Sequence, residues 1–234
     1  MTTSGTTTFN PSLADIVEEA YERAGRRMEG GYDFRTARRS IDLLTTEWAN
    51  RGLNLWLVEE QTFTLVAGTA TYTLPADTVD AIEVVYRTNT GSTSQEDLTI
   101  NRMSVSDWSA IPNKLTQGSR PLQFYINRLQ PAPVMHVWPV PDGNQAGTVT
   151  YWRLRRIEDT GRPASNTMDM PFRFYDALCA GLAYRLAVKN PQLAPRISML
   201  KQIADEAFDL AAAEDRDRAS VRLTPFISDA VYGV

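Results

Sequence analysis

Apolar residues recur at helical spacing near both ends of the chain and at strand spacing between them. Leu13, Ile16, Val17, Ala20, Tyr21 and Ala24 fall on one face at steps of three and four, which predicts a helix. Asn10-Pro11-Ser12 supplies cap residues and a proline suited to a first turn, Ser12 and Asp15 form an approximate capping box, and Gly25 is the terminator. Arg23, Arg26 and Arg27 lie toward the end, where cations suit the helix dipole. A second helix opens at Asp33 and carries the stripe Phe34, Ala37, Ile41, Leu44 and Trp48, with Arg35, Arg38 and Arg39 off the stripe and Gly52 closing it.

From Leu55 the period changes. Segments 56–58, 62–66, 71–74, 79–86 and 98–103 read as short strands, and 104–110 as one or two helical turns anchored by Trp108. Phe124-Tyr125-Ile126, then 134–140 and 148–154, complete an antiparallel β module, with Pro141-Asp142-Gly143 as a turn. Residues 160–170 are polar and turn-rich. A third helix over 172–189 is apolar almost all round, with Phe174, Leu178, Leu182 and Leu186 interleaved with Ala177, Ala180, Gly181 and Ala183, so it is expected to be buried on several sides. The small Ala177 and Gly181 permit close helix approach, and Asn190-Pro191 stops the helix. A fourth helix runs over 194–216, with Ile197, Leu200, Ala204, Ala207, Phe208 and Ala211 on one face. The last residues have no helical period yet carry Leu223, Phe226, Ile227, Val231 and Tyr232.

The fold class is therefore α+β: a four-helix frame with an inserted antiparallel β module and an extended C-terminal tail. The divisions are a flexible arm at 1–10, the frame at 11–54 and 161–216, the insert at 55–160 and the tail at 217–234. Loop-closure entropy grows slowly with length, so so long an insert is tolerable.

Composition narrows the function. The 234 residues are 43% hydrophobic, enough for a sizeable core. Lys and Arg number 24 against 28 Asp and Glu, a mildly acidic balance unlike that of a protein built to grip phosphate backbones. A single cysteine, Cys179, permits no intrachain disulfide and suggests a reducing compartment. No apolar run approaches the roughly 20 residues of a membrane span, and the polar N-terminus does not read as a secretory signal.

Candidate chemistry is sparse. The one histidine, His136, reads as a strand-face residue meeting solvent or a neighbour, opposite Met135 and Val137. Cys179 reads as a buried structural thiol. There is no phosphate-binding glycine loop. The carboxylate pairs Glu18-Glu19, Glu59-Glu60 and Glu96-Asp97 read as solvated charge. No catalytic, cofactor or metal residues are assigned. Two arginine clusters stand out, one around Arg35, Arg38 and Arg39, the other Arg153, Arg155, Arg156 and Arg162 beside Tyr151 and Trp152. Pairing with carboxylates of neighbouring elements or subunits is the favoured reading, which makes Arg35, Arg38, Arg39, Arg153 and Arg155 candidate subunit-interface residues. On physics alone the apolar tail either folds back on its own domain or anchors another chain.

Several segments together resemble a known family: LADIVEEAYERAG, WANRGLNLW, QTFTLVAGTATYTLPADTVDAIEVVYR, RPLQFYINR, VWPVPDG, TVTYWRLRRIED and MPFRFYDALCAGLAYRLA, spread over most of residues 12–216. In order and spacing they resemble the head-to-tail adaptor (head completion, or tail accessory) proteins of short-tailed bacteriophages. The resemblance implies a non-enzymatic virion protein at the head–tail junction, present in the host cytoplasm during assembly. It implies a homo-oligomeric ring, usually of twelve copies, beneath the portal protein, lengthening the DNA channel and docking tail nozzle or tail fibre proteins. It also implies that Leu223, Phe226, Ile227, Val231 and Tyr232 reach along the portal. DNA would pass without specific binding, and no cofactor or membrane partner is implied. The alternatives are a virion-associated cell-wall hydrolase using surface carboxylates, and a nucleic-acid-binding module using the arginine-rich second helix with Tyr151 and Trp152.

Overall fold

Four helices are organised by the most apolar of them. The computed structural model describes residues 5–51, 55–143 and 147–215. Helices α1 (Leu13–Ala24), α2 (Gly31–Ala49), α4 (Tyr175–Val188) and α5 (Ile197–Glu214) form the frame, and the short α3 (Val105–Ala110) belongs to the β region. Helix α4 sits in the middle and packs against α1, α2 and α5, which explains why it carries no polar face. Their shared core includes Leu13, Ile16, Ala20, Ile41, Trp48, Phe174, Leu178, Leu182 and Phe208. Gly181 lets α2 approach: a Cβ there would lie 2.8 Å from a methyl of Leu44.

Local signals set the helix ends. Ser12 and Asp15 close a full capping box, and Gly25 takes the left-handed conformation, φ 87°. The segment after the insert completes the start of α1, because Leu13 N donates to Asn166 O at 2.7 Å and Ala14 N to Ala164 O at 3.0 Å. Helix α2 begins at Gly31, two residues before Asp33. A 3-10 turn, Phe172–Phe174, precedes α4. A second, Pro191–Arg196, contains Pro195 and delays α5 to Ile197, three residues after the expected start.

The insert is a two-sheet sandwich. One sheet orders β1 (Val58–Thr64), β10 (Gly147–Arg155), β3 (Thr78–Thr88) and β4 (Glu96–Thr99), all antiparallel. The other orders β2 (Thr71–Thr73), β8 (Val134–Trp138), β7 (Gln123–Asn127) and β5 (Asn101–Arg102). The β5/β7 pairing is parallel, as is the small pair β6 (Gln117–Gly118) with β9 (Val140–Pro141). Register aligns Phe63, Val149, Tyr86 and Leu98 across the first sheet, facing Tyr72, Met135 and Ile126 of the second. Phe63 stacks on Tyr72 at 4.3 Å between centroids. This core is distinct from that of the helices.

Three strand boundaries depart from the period-based reading. Residues Leu55–Leu57 form a 3-10 turn, not a strand. Strand β1 then starts at Val58 and runs through the charged Glu59-Glu60. Segment 98–103 divides at Ile100, whose N–H donates to Val84 O while its neighbours pair in different sheets. Segment 134–140 divides at Pro139, which has no N–H for a ladder.

Candidate functional site

In the second arginine cluster, Arg153 ties strands of the sandwich together and Arg155 links the sandwich to the segment before α4. Arg153 on β10 is 5% exposed. Its Nη1 donates to Asp77 Oδ1 and Thr78 Oγ1, both at 2.7 Å, its Nη2 to Asp77 Oδ2 at 3.0 Å, and its Nε to Glu59 Oε1 at 2.7 Å. Arg155 forks onto Asp169, just before α4, at 2.6 and 3.0 Å. Asp169 also accepts from Glu158 N, and its backbone oxygen accepts from Trp56 Nε1 at 3.2 Å. The Trp56 ring lies 4.7 Å from that of Phe174 in the helical core. Hydrogen bonds from Arg153 and Arg155 hold the carboxyls of Asp77 and Asp169 below the usual aspartate value. Both guanidinium groups are thus engaged by carboxylates of neighbouring elements within the chain.

The first arginine cluster is placed differently. Arg38 is half-buried and donates to Arg162 O at 3.3 Å. Arg35 and Arg39 are exposed and form no ion pair among the described residues. Tyr32 and Leu43 are exposed large apolar side chains on the same helix. Helix α5 carries a second apolar strip that the sequence reading missed: Met199, Ile203 and Leu210 are 46%, 42% and 72% exposed. Their spacing of four and seven was a usable signal, hidden beside the stronger core-facing stripe of Leu200, Phe208 and Ala211. The tail residues Leu223, Phe226, Ile227, Val231 and Tyr232 lie outside the described residues.

Comparison with known proteins identifies the family. The family model described as SU10 adaptor protein matches residues 11–226. The chain belongs to the SU10 adaptor protein family. The adaptor is a structural protein of bacteriophage tail assembly, in a family that is not a class of enzymes. The match covers the helical frame, the sandwich and the tail as far as Phe226. No curated protein matches the adaptor.

The lone histidine, the lone cysteine and the adjacent carboxylates sit in structural surroundings. His136 is stacked on Tyr125, with Trp108 5.2 Å away, and burial lowers its pKa. Cys179 is buried on α4, where burial pushes its thiol up to about 11, far from a nucleophile's range. Four of the six adjacent carboxylates pair with arginines: Glu19 with Arg23, Glu59 with Arg153, Glu60 and Asp97 with Arg87. Tyr151 faces the sandwich core and Trp152 is half-buried, so they offer no exposed aromatic pair for stacking bases. Among the described residues no cluster could hold a metal ion, and no helix is long and apolar enough to cross a membrane.

Proposed function

We propose that the adaptor is a ring connector, twelve copies closing beneath the portal vertex at the head–tail junction, extending the DNA channel and docking tail nozzle or fibre proteins. The family match over 11–226 carries this reading. On it, segments 11–54 and 161–216 form the body of the ring, with 1–10 as an arm and 55–160 as an inserted unit. Segment 217–234 is the portal-binding extension, anchored by Leu223, Phe226, Ile227, Val231 and Tyr232. The exposed Arg35 and Arg39, with Arg38 beside them, belong to the subunit boundary, while Arg153 and Arg155 act on it indirectly, Arg153 by tying the sandwich strands together and Arg155 by holding the sandwich against the segment before α4. The net charge of −4 supports a channel along which DNA slides, since each phosphate neutralised would add to its grip.

Mixing the purified chain with its cognate portal and counting symmetry by electron microscopy tests the reading. A closed twelvefold ring is the expected result, and a chain that stays monomeric beside its portal refutes it. Deleting residues 220–234 should leave the helical fold intact and abolish portal docking. Equal docking by the shortened chain refutes the assignment of the tail.

A further inference from the structure

The two exposed helix faces lie on opposite flanks of the frame. Helix α2 meets α5 through Trp48 against Phe208, with ring centroids 5.1 Å apart, and through Arg51 with Asp205 at 3.8 Å. On α5, Met199, Ile203, Glu206 and Leu210 recur at steps of three and four on the side turned away from Asp205 and Phe208. On α2, Arg35, Arg39 and Leu43 likewise lie on the side turned away from Trp48 and Arg51. One flank is apolar with an acidic border, where Glu206 and Asp209 are exposed. The other is apolar with a basic border, Tyr32 and Leu43 beside Arg35 and Arg39.

We infer that the α5 strip of one copy docks on the α2 face of the next, and that this head-to-tail contact closes the ring. The inference rests on the ring reading above and names the surfaces that make it. Charge selects the partner. Two α5 strips meeting about a two-fold axis would oppose Glu206 and Asp209 to their own kind, and two α2 faces would oppose arginine to arginine. Only α5 against α2 matches both sign and apolar content. Opposite placement of the two patches gives a heterologous contact, which closes into a ring when the rotation per copy fits a whole turn.

A charge exchange tests this. One full-length variant carries Arg35→Glu with Arg39→Glu, and a second carries Glu206→Arg with Asp209→Arg. All four positions are exposed, so both variants should keep the wild-type helical signal and melting temperature. Alone, each should associate about tenfold or more less tightly than wild type, measured by native mass spectrometry with portal added. An equimolar mixture should recover assembly with the two variants alternating, because every boundary then pairs opposite charges. If both variants assemble like wild type, the ring reading survives and this interface is refuted. If wild type itself never assembles on the portal, both fall. If radical footprinting finds Met199 shielded in the monomer, and exposed only after residues 220–234 are deleted, the strip belongs to the tail and the inference is overturned.

Discussion

Replacing Arg153 with Met isolates the energetics of the arginine network that ties β10 to β1 and to the start of β3. The substitution keeps the apolar stem of the side chain and removes the guanidinium. Three groups lose a donor: Glu59, Asp77 and Thr78. Breaking a buried pair by removing one partner typically destabilises by roughly 3–5 kcal/mol. Here the Asp77 and Glu59 side chains are 46% and 33% exposed, so both can rehydrate, and the expected loss falls to about 2 kcal/mol. For a chain of this length that lowers Tm by roughly 4–8 °C. The effect should depend on pH in a definite direction. Asp77 has a folded-state pKa below its ordinary 3.8, so its contribution is fully present above that value and is lost as pH falls through the folded-state pKa. Denaturant melts of wild type and Arg153→Met should therefore differ by about 2 kcal/mol near neutrality and converge below about pH 4. A difference under about 0.5 kcal/mol at neutral pH, or one that widens in acid, refutes the account of this network.

Other consequences are open to direct measurement. Leu182→Asp places an unpaired charge at a fully buried position and should destabilise the helices by about 4 kcal/mol or more; an unchanged melting curve by circular dichroism would contradict the assigned core. Gly25→Ala forces a Cβ into a left-handed position 1.9 Å from the guanidinium of Arg196, which donates to Ala24 O, so a loss of about 1–2 kcal/mol is expected in urea. Cys179, with its thiol held near 11, should react with a disulfide reagent at neutral pH orders of magnitude more slowly in the folded chain than in denaturant. Equal rates would show that the thiol is not buried.

What could be read from the sequence was what neighbours along the chain decide. The α1 boundaries are local chemistry, Ser12 and Asp15 at one end and Gly25 at the other, and they were legible. The burial of α4 followed from its lack of any polar face. The first half of β1 was not legible, because its inward position Glu59 is charged. That charge makes sense only beside Arg153, 94 residues away, so the period-two signal was broken by a partner that sequence order conceals. The division of 98–103 failed for a related reason, since Ile100 marks a change of sheet. Both arginine clusters were visible as compositions. Their different roles were not, because the separation of Arg153 and Arg155 from Arg35 and Arg39 depends on where Asp77 and Asp169 fold. The outward strip of α5 was masked by the stronger periodicity of the buried face.

Strands β1 and β10, the first and last of the sandwich, are hydrogen-bonded to each other, with Val58 opposite Leu154. The chain therefore leaves and rejoins the helices at two points about one strand spacing apart, roughly 5 Å. To the frame, nearly a hundred residues of β structure look like a short hairpin. Such a cassette can lengthen its distal loops, or be exchanged for another fold with adjacent ends, while the helices keep their mutual angles. Variation can then accumulate in the cassette while the helical body stays unchanged.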